Sequence, residues 1–118
     1  MTTTFGKIIG AREALQALSN ERLEIKEAVA LARLLRRLDE ELRLFEAQRM
    51  KLLREFGTEQ DGGITIEDGK KAAFEERLRA LLDVSVEIDG EKIGVTTDKT
   101  SAATVLATED FIDYKEGD

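Results

Sequence analysis

The sequence contains no cysteine, no histidine, no proline and no tryptophan. Without cysteine, disulfide bonds and thiolate metal sites are excluded. Because histidine is missing as well, catalysis would have to rely on carboxylate, lysine, tyrosine or hydroxyl groups. The chain has no glycine-rich phosphate-binding motif and no serine-nucleophile motif. We therefore expect a protein that is not an enzyme, with no catalytic residues, no metal site and no cofactor.

Long hydrophobic runs are missing too. No apolar run approaches the roughly 20 residues of a membrane-spanning helix, and residues 1–12 lack the apolar segment of a signal peptide. We expect a cytoplasmic protein with no membrane partner. The net charge of −7 opposes binding to nucleic acid, because phosphate recognition requires a surplus of lysine and arginine on the contacting face.

The residues that are present favour one mainly helical domain. A length of 118 residues allows one modest core, so we expect a single domain spanning 1–118. Charged residues make up 36% of the chain and aromatic residues only 5%, which is typical of long helices rather than of a β-sandwich. The predicted class is α+β, mainly helical, with a long helical hairpin or coiled-coil-like helix and a small antiparallel β-sheet.

Periodicity and turn signals divide the chain into elements. The strongest is a helix over about 24–56, which contains no glycine and closes on Gly57 as a C-cap. The dipeptide Asp89-Gly90 favours a two-residue turn and predicts a β-hairpin over about 84–95. The remaining predictions are a first helix over about 5–18, a short strand at 64–66, a helix over about 68–83, a short helix over 102–107 and an acidic tail.

Within the long helix, apolar residues follow alternating steps of three and four. This pattern indicates a heptad seam, and the helix would be about 48 Å long, whereas a compact globule of this size is only about 35 Å across. We therefore expect the seam to overhang the fold and to form a homo-oligomer interface. The predicted interface residues are Leu31, Leu35, Leu38, Leu42, Phe45, Leu52 and Phe56. The alternative is that the helix over 68–83 folds back and covers about half of the seam.

Charged side chains flank the seam. Residues of opposite sign lie one helical turn apart, which suits a solvated face. The predicted pairs are Arg36 with Glu40, Arg37 with Glu41 and Asp39 with Arg43. Arg49 interrupts the seam itself, where it sets the register, extends its charge to water or faces a ligand.

Two further segments carry candidate binding residues. Hydroxyl and lysine side chains precede the short helix at 102, where they either cap the helix or bind a small anion at its free N–H groups. The candidate anion contacts are Arg12, Arg49, Thr97, Lys99 and Thr100. The segment 57–68 reads GTEQDGGITIED, a degenerate EF-hand loop with Gly57 where a carboxylate is required and Asp68 where a glutamate is usual. Its alternative is an acidic loop in which Asp61-Gly62 makes a turn.

The order of elements resembles a group of small uncharacterised acidic proteins encoded by bacteriophages and prophages of Gram-positive bacteria. The resembling segments are EALQAL at 13–18, LEIKEAVALARLLRRLDEELRLFEAQRMKLLREFG at 23–57, the DGG of the acidic loop, LLDVSVEI, and ATEDFID near the end. The resemblance implies a phage origin and a non-enzymatic role. It favours counteraction of host antiviral defence, by masking a host protein or by sequestering a nucleotide-derived immune signal. The alternatives are a virion assembly factor, such as a tail or head chaperone or connector, and a calcium-binding protein.

Overall fold

The computed structural model describes residues 1–96 and 100–115. The elements are β1 (Thr2–Thr4), α1 (Phe5–Ser19), α2 (Ile25–Phe56), β2 (Gly57–Gln60), β3 (Gly63–Ile66), α3 (Asp68–Leu82), β4 (Ser85–Glu87), β5 (Ile93–Thr96), α4 (Ala102–Thr108) and β6 (Ile112–Lys115). The predicted α+β class, built on one long helix, is confirmed. All four helices lie within one or two residues of their expected bounds.

α1 and α2 form an antiparallel helical hairpin. α1 begins after Thr4, whose side-chain oxygen accepts a hydrogen bond from the backbone N–H of Lys7 at 3.2 Å and so satisfies one free amide of the first turn. The buried residues of α1 recur at helical spacing and form a single face: Phe5, Ile8, Ala11, Leu15 and Leu18. This face packs in the core with residues of α2, and the short link over 20–24 reverses the chain.

α2 spans 32 residues and is about 48 Å long. The molecule measures 57 × 27 × 24 Å, so the expectation of a compact globule with an overhanging helix is wrong. The fold itself is elongated, with other elements along the length of α2. At its end Gly57 has φ −109° and ψ 171°, which is extended rather than left-handed, so the chain passes from α2 directly into β2.

The seam of α2 is covered by its own chain. Leu31 and Leu38 are completely buried, and the ring of Phe56 meets Phe74 of α3 edge-on, with 6.2 Å between centroids. Of the remaining predicted interface residues, Leu35, Phe45 and Leu52 are buried and Leu42 packs against the core. Of the predicted oligomer interface at Leu31, Leu35, Leu38, Leu42, Phe45, Leu52 and Phe56, only Leu42 and Phe56 are partly exposed, so little of it is open to a second protomer. Self-association through this seam stays a prediction. The intramolecular alternative is the one observed.

The strands form three two-stranded sheets rather than one. β2 and β3 form an antiparallel hairpin, and β1 pairs antiparallel with β4. β5 instead pairs in parallel with β6. The predicted hairpin over 84–95 is wrong, because its two strands lie in different sheets. β4 takes the N-terminal strand as its partner, and this pairing continues as the backbone N–H of Ile88 donates to the Met1 carbonyl at 2.8 Å.

The core is concentrated around the first half of α2. There α1 meets residues of the β1–β4 and β5–β6 sheets, and Val95 and Phe111 are completely buried. The second half of α2 is covered by α3 and the β2–β3 hairpin, and α3 contributes no fully buried residue. The molecule thus has a well-packed end and a thinly covered end, joined by one continuous helix.

Candidate functional site

A surface depression lies between α1 and α2, hereafter the α1–α2 groove. Its volume is about 700 Å³. The lining residues are Arg12, Gln16 and Ser19 from α1, and Ala28, Ala32, Leu35, Arg36, Asp39, Glu40 and Arg43 from α2. The small apolar side chains of Ala28 and Ala32 line it together with long charged and polar ones.

A bidentate ion pair joins the two helices across the groove. Arg12 Nε donates to Asp39 Oδ1 at 2.7 Å, and Arg12 Nη2 donates to Asp39 Oδ2 at 3.1 Å. The hydrogen bond from Arg12 lowers the pKa of Asp39, and the same bond raises the pKa of Arg12. Two parallel bonds between planar groups fix both distance and orientation. Arg12, a predicted anion contact, is therefore occupied by a carboxylate of its own chain.

Because Asp39 pairs with Arg12, the ion pairs along α2 differ from those that the sequence predicts. The predicted pair of Arg37 with Glu41 is confirmed at 2.8 Å, and Arg37 also reaches Glu40 at 3.6 Å. Among the residues that the structure describes, Arg36 and Arg43 make no ion pair, so the pairs of Arg36 with Glu40 and of Asp39 with Arg43 are not formed. The groove is thus lined by three arginines and two carboxylates, Asp39 and Glu40, in a chain of net charge −7.

The remaining predicted anion contacts are not brought together. Thr97 and Lys99 lie outside the described residues. Thr100 lies with Ser101 and Thr104 beside the Ala14, Ala17 and Leu18 side of α1, whereas Arg12 faces α2. Ser101 Oγ accepts a hydrogen bond from the backbone N–H of Thr104 at 3.2 Å, which is ordinary helix capping. The capping alternative is therefore the one that the geometry supports.

Arg49 pairs with a residue of its own helix. Its guanidinium donates to both carboxylate oxygens of Glu46, at 2.9 and 2.6 Å, and its side chain is 36% exposed. The hydrogen bond from Arg49 lowers the pKa of Glu46. The long stem thus carries the charge out of the seam to the helix surface. Arg49 does not line the α1–α2 groove.

The candidate calcium loop is a β-hairpin. Gly57–Gln60 pairs with Gly63–Ile66, and the turn residues Asp61 and Gly62 both have positive φ, 49° and 81°. Positive φ at both positions is characteristic of the type I′ turn that closes two-residue hairpins. An EF-hand loop instead wraps its side chains around the ion, so the EF-hand interpretation is wrong and the turn alternative is confirmed.

Other polar clusters tie elements together. Thr3 Oγ1 donates to Asp110 Oδ2 at 3.0 Å, and Lys7 Nζ lies 3.5 Å from the same carboxylate. Thr3 is only 3% exposed, so its hydroxyl joins β1 to the segment before β6 and is closed to a substrate. The buried Thr108 hydroxyl lies 2.7 Å from Tyr114 Oη and links α4 to β6 in the same way.

Sequence reasoning missed the groove arginines as site residues. Arg36 and Arg43 read as members of ordinary ion pairs one turn apart, whereas Asp39 accepts its hydrogen bonds from Arg12 of α1 and interacts with Arg43 only through charge. A signal did exist, because Arg12, at the middle of α1, and Lys7, in the first turn, are the two cations of that helix.

Within residues 1–96 and 100–115 no helix is both long and apolar enough to cross a membrane. The chain matches no protein-family model, no curated protein and no solved structure.

Proposed function

We propose that this chain is a non-enzymatic binding protein that docks another macromolecule on its α1–α2 groove. One observation carries the proposal: three arginines and only two carboxylates, Asp39 and Glu40, line the groove, in a chain that is otherwise strongly acidic. Surplus charge on a recognition surface selects partners of opposite charge and speeds their encounter. The partner surface is therefore anionic.

The arrangement favours masking of a protein over sequestration of a small signal. Sequestration needs several polar groups converging on one enclosed ligand, but the candidate contacts Arg12, Arg49 and Thr100 are dispersed, and the first two are engaged by carboxylates. A groove along a helix instead suits a protein segment. Combined with the resemblance to phage proteins, this supports counter-defence by masking a host protein. A role in virion assembly stays a prediction, which adjacency of the gene to head or tail genes would favour.

The proposal is tested by capture from a Gram-positive bacterial lysate. The tagged chain is compared with the double charge reversal Arg36→Glu/Arg43→Glu. The control is Lys51→Glu/Arg79→Glu, which changes the net charge equally at exposed residues that lie outside the groove. We expect a protein that copurifies with the wild type and the control and is reduced about tenfold by the groove reversal. Capture unaffected by the groove reversal would contradict the proposal.

A further inference from the structure

The sequence contains three Asp-Gly dipeptides, and the fold gives each of them a different backbone environment. Asp61-Gly62 closes the β2–β3 hairpin, Asp68-Gly69 begins α3, and Asp89-Gly90 lies in the link between β4 and β5. In an Asp-Gly dipeptide the glycine nitrogen can attack the aspartate side chain, because glycine carries no side chain that obstructs the approach. The local backbone therefore decides which of the three aspartates reacts.

We propose that Asp89 is a site of spontaneous isomerisation to isoaspartate in the folded protein, whereas Asp61 and Asp68 are protected by their backbone conformation. In the first step the Gly90 nitrogen forms a bond to Cγ of Asp89, the amide proton and the carboxyl hydroxyl leave together as water, and a succinimide ring results. In the second step water opens the ring. Opening at Cγ restores aspartate, whereas opening at the main-chain carbonyl carbon leaves isoaspartate, so the net reaction consumes no reagent.

The link that contains Asp89 leaves its backbone free to rotate. β4 ends at Glu87, β5 begins at Ile93, and the two strands belong to different sheets. The peptide group that joins Asp89 to Gly90 makes no hydrogen bond to any described residue, and both residues are exposed. The Gly90 carbonyl accepts a hydrogen bond from the Met1 nitrogen at 3.1 Å, but it belongs to the next peptide group. The Gly90 nitrogen can therefore turn toward Cγ of Asp89.

Both flanks of this link are anchored, so the reaction does not require unfolding. Ile88 is 3% exposed, and its N–H donates to the Met1 carbonyl at 2.8 Å. On the other side, the Ile93 N–H donates to the Phe111 carbonyl at 2.9 Å. Isoaspartate adds one carbon atom to the main chain, and residues 89–92, which lie between the anchors and pair with no strand, accommodate it. We therefore expect the modified protein to keep its fold.

Asp61 is held by the hairpin turn. Its φ of 49° lies in the small left-handed region, where little variation of ψ is allowed, and its neighbours Gln60 and Gly63 are paired with each other. Rotating the peptide group between Asp61 and Gly62 would produce a type II′ turn, which requires glycine at its first central position. Ring closure at Asp61 therefore requires the hairpin to open.

Asp68 is held by the first turn of α3. The Lys70 N–H donates to the Glu67 carbonyl at 2.9 Å across it, and the Asp68 carboxylate lies 3.0 Å from Lys71 Nζ. Side chains in a helix tilt toward its N-terminus, away from the nitrogen of the following residue. Ring closure at Asp68 therefore requires the start of α3 to unwind.

The test measures isoaspartate at each site during prolonged incubation of the full-length protein at physiological temperature. Trypsin releases Asp89 in peptide 80–92 and the other two aspartates in peptide 55–70. Endoproteinase Asp-N, which cleaves before aspartate and not before isoaspartate, and electron-transfer dissociation then assign the position. We expect isoaspartate to accumulate at Asp89 at least about tenfold faster than at Asp61 or Asp68, because the latter two react only after local opening.

Unfolding and substitution provide the controls. In guanidinium chloride the three sites lose their distinct environments, so we expect their rates to agree within about threefold. Asp89→Glu lengthens the side chain, which disfavours closure of the ring, and removes the modification from peptide 80–92. The matched variant Asp68→Glu leaves the rate at Asp89 unchanged. Circular dichroism verifies that both variants and the incubated protein stay folded.

Three results would overturn the inference. The first is isoaspartate that forms in the folded protein at Asp61 or Asp68 as fast as at Asp89. The second is an Asp89 that stays unmodified in the folded protein. The third is a modified fraction that has lost the native circular dichroism spectrum, because the reaction would then have followed unfolding.

Discussion

Gly57 is the residue at which α2 passes directly into β2. Its extended backbone conformation is open to any residue. Glycine is required here because there is no room for a side chain: a Cβ atom would collide with the Ile64 side chain and lie 2.7 Å from the Leu53 carbonyl oxygen. The first contact belongs to the hairpin and the second to the last turn of α2. Glycine at this position therefore lets the hairpin fold tightly against the end of the helix.

Replacing Gly57 by alanine is expected to lower the free energy of unfolding by about 1 to 3 kcal/mol, because backbone atoms must shift to admit the methyl group. Urea denaturation followed by circular dichroism measures the change. The matched control is Gly10→Ala in the middle of α1, where nothing lies within 4 Å of the added atom. That variant should gain about 0.5 to 1 kcal/mol from reduced backbone freedom. Equal stability of the two variants would contradict this account of Gly57.

The Arg12–Asp39 pair makes stability depend on pH in a defined direction. Arg12 lowers the pKa of Asp39 in the native state, so the stabilisation is complete above the ordinary aspartate pKa of about 3.9. It is lost as pH falls through the lower native pKa. Because the two side chains are 27% and 41% exposed, solvent screening limits the contribution to about 0.5 to 1 kcal/mol.

We expect Asp39→Asn to lower the free energy of unfolding by that amount at pH 7 and by progressively less below pH 4, about the range in which aspartate titrates. Urea titrations at several pH values measure the difference between wild type and variant. Glu46→Gln removes a carboxylate that pairs with Arg49 within a single helix and should have a smaller effect. If Asp39→Asn lowers the free energy of unfolding by the same amount at low pH as at pH 7, this ion pair does not stabilise the fold.

Among the helices, α3 has the fewest buried side chains. Its 15 residues include no fully buried side chain, whereas α1 of equal length buries five. Its half-buried residues, which include Phe74, face α2. In addition, the Arg77 guanidinium lies 5.9 Å from the centre of the Phe56 ring. Local opening is easiest where few apolar side chains are enclosed.

Hydrogen–deuterium exchange followed by mass spectrometry should therefore find α3 amides exchanging at least about tenfold faster than those of α1. The continuous α2 provides an internal reference, since its first half adjoins the main core and its last turns adjoin α3. We expect protection to decrease along α2 toward Phe56. Uniform protection of α1 and α3 would show that the thinly covered end is as stable as the rest.

The helices were predictable from local sequence, and the sheets were not. The run from Ile25 to Phe56 contains no helix breaker, so propensity and periodicity agree over its whole length. The dipeptides Asp61-Gly62 and Asp89-Gly90 carry the same turn signal, but only the first closes a hairpin. What separates them is tertiary: β1, more than eighty residues earlier in the chain, pairs with β4 and withdraws it from a local partner. Such non-local pairing leaves no local pattern to read.

In the candidate site, too, contacts within one helix were predictable and contacts between helices were not. The charge spacing on α2 correctly predicts the pair of Arg37 with Glu41, which lies within one helix. It fails for Asp39, because the competing partner Arg12 comes from another helix. The groove therefore follows from the packing of α1 on α2, which fixes which cations remain without carboxylates.

At the scale of the whole molecule, the prediction of self-association loses its original basis. The apolar seam is largely covered within one protomer, with only Leu42 and Phe56 partly exposed. We expect multi-angle light scattering to give the 13.2 kDa mass of one chain. Small-angle scattering should show an elongated particle consistent with the 17.5 Å radius of gyration of the Cα atoms. A dimer mass at micromolar concentration would contradict this expectation.

The pairing of β5 with β6, at the far end of the chain, also has a consequence for biosynthesis. A ribosome that has just completed α2 has produced its leucine face together with β1 and α1, but none of the later strands that enclose the remainder. At about 5 to 20 residues per second, some seconds pass before Phe111 and β6 emerge. During that interval the nascent chain presents bare hydrophobic surface to chaperones, and the core closes only after β6 has been synthesised.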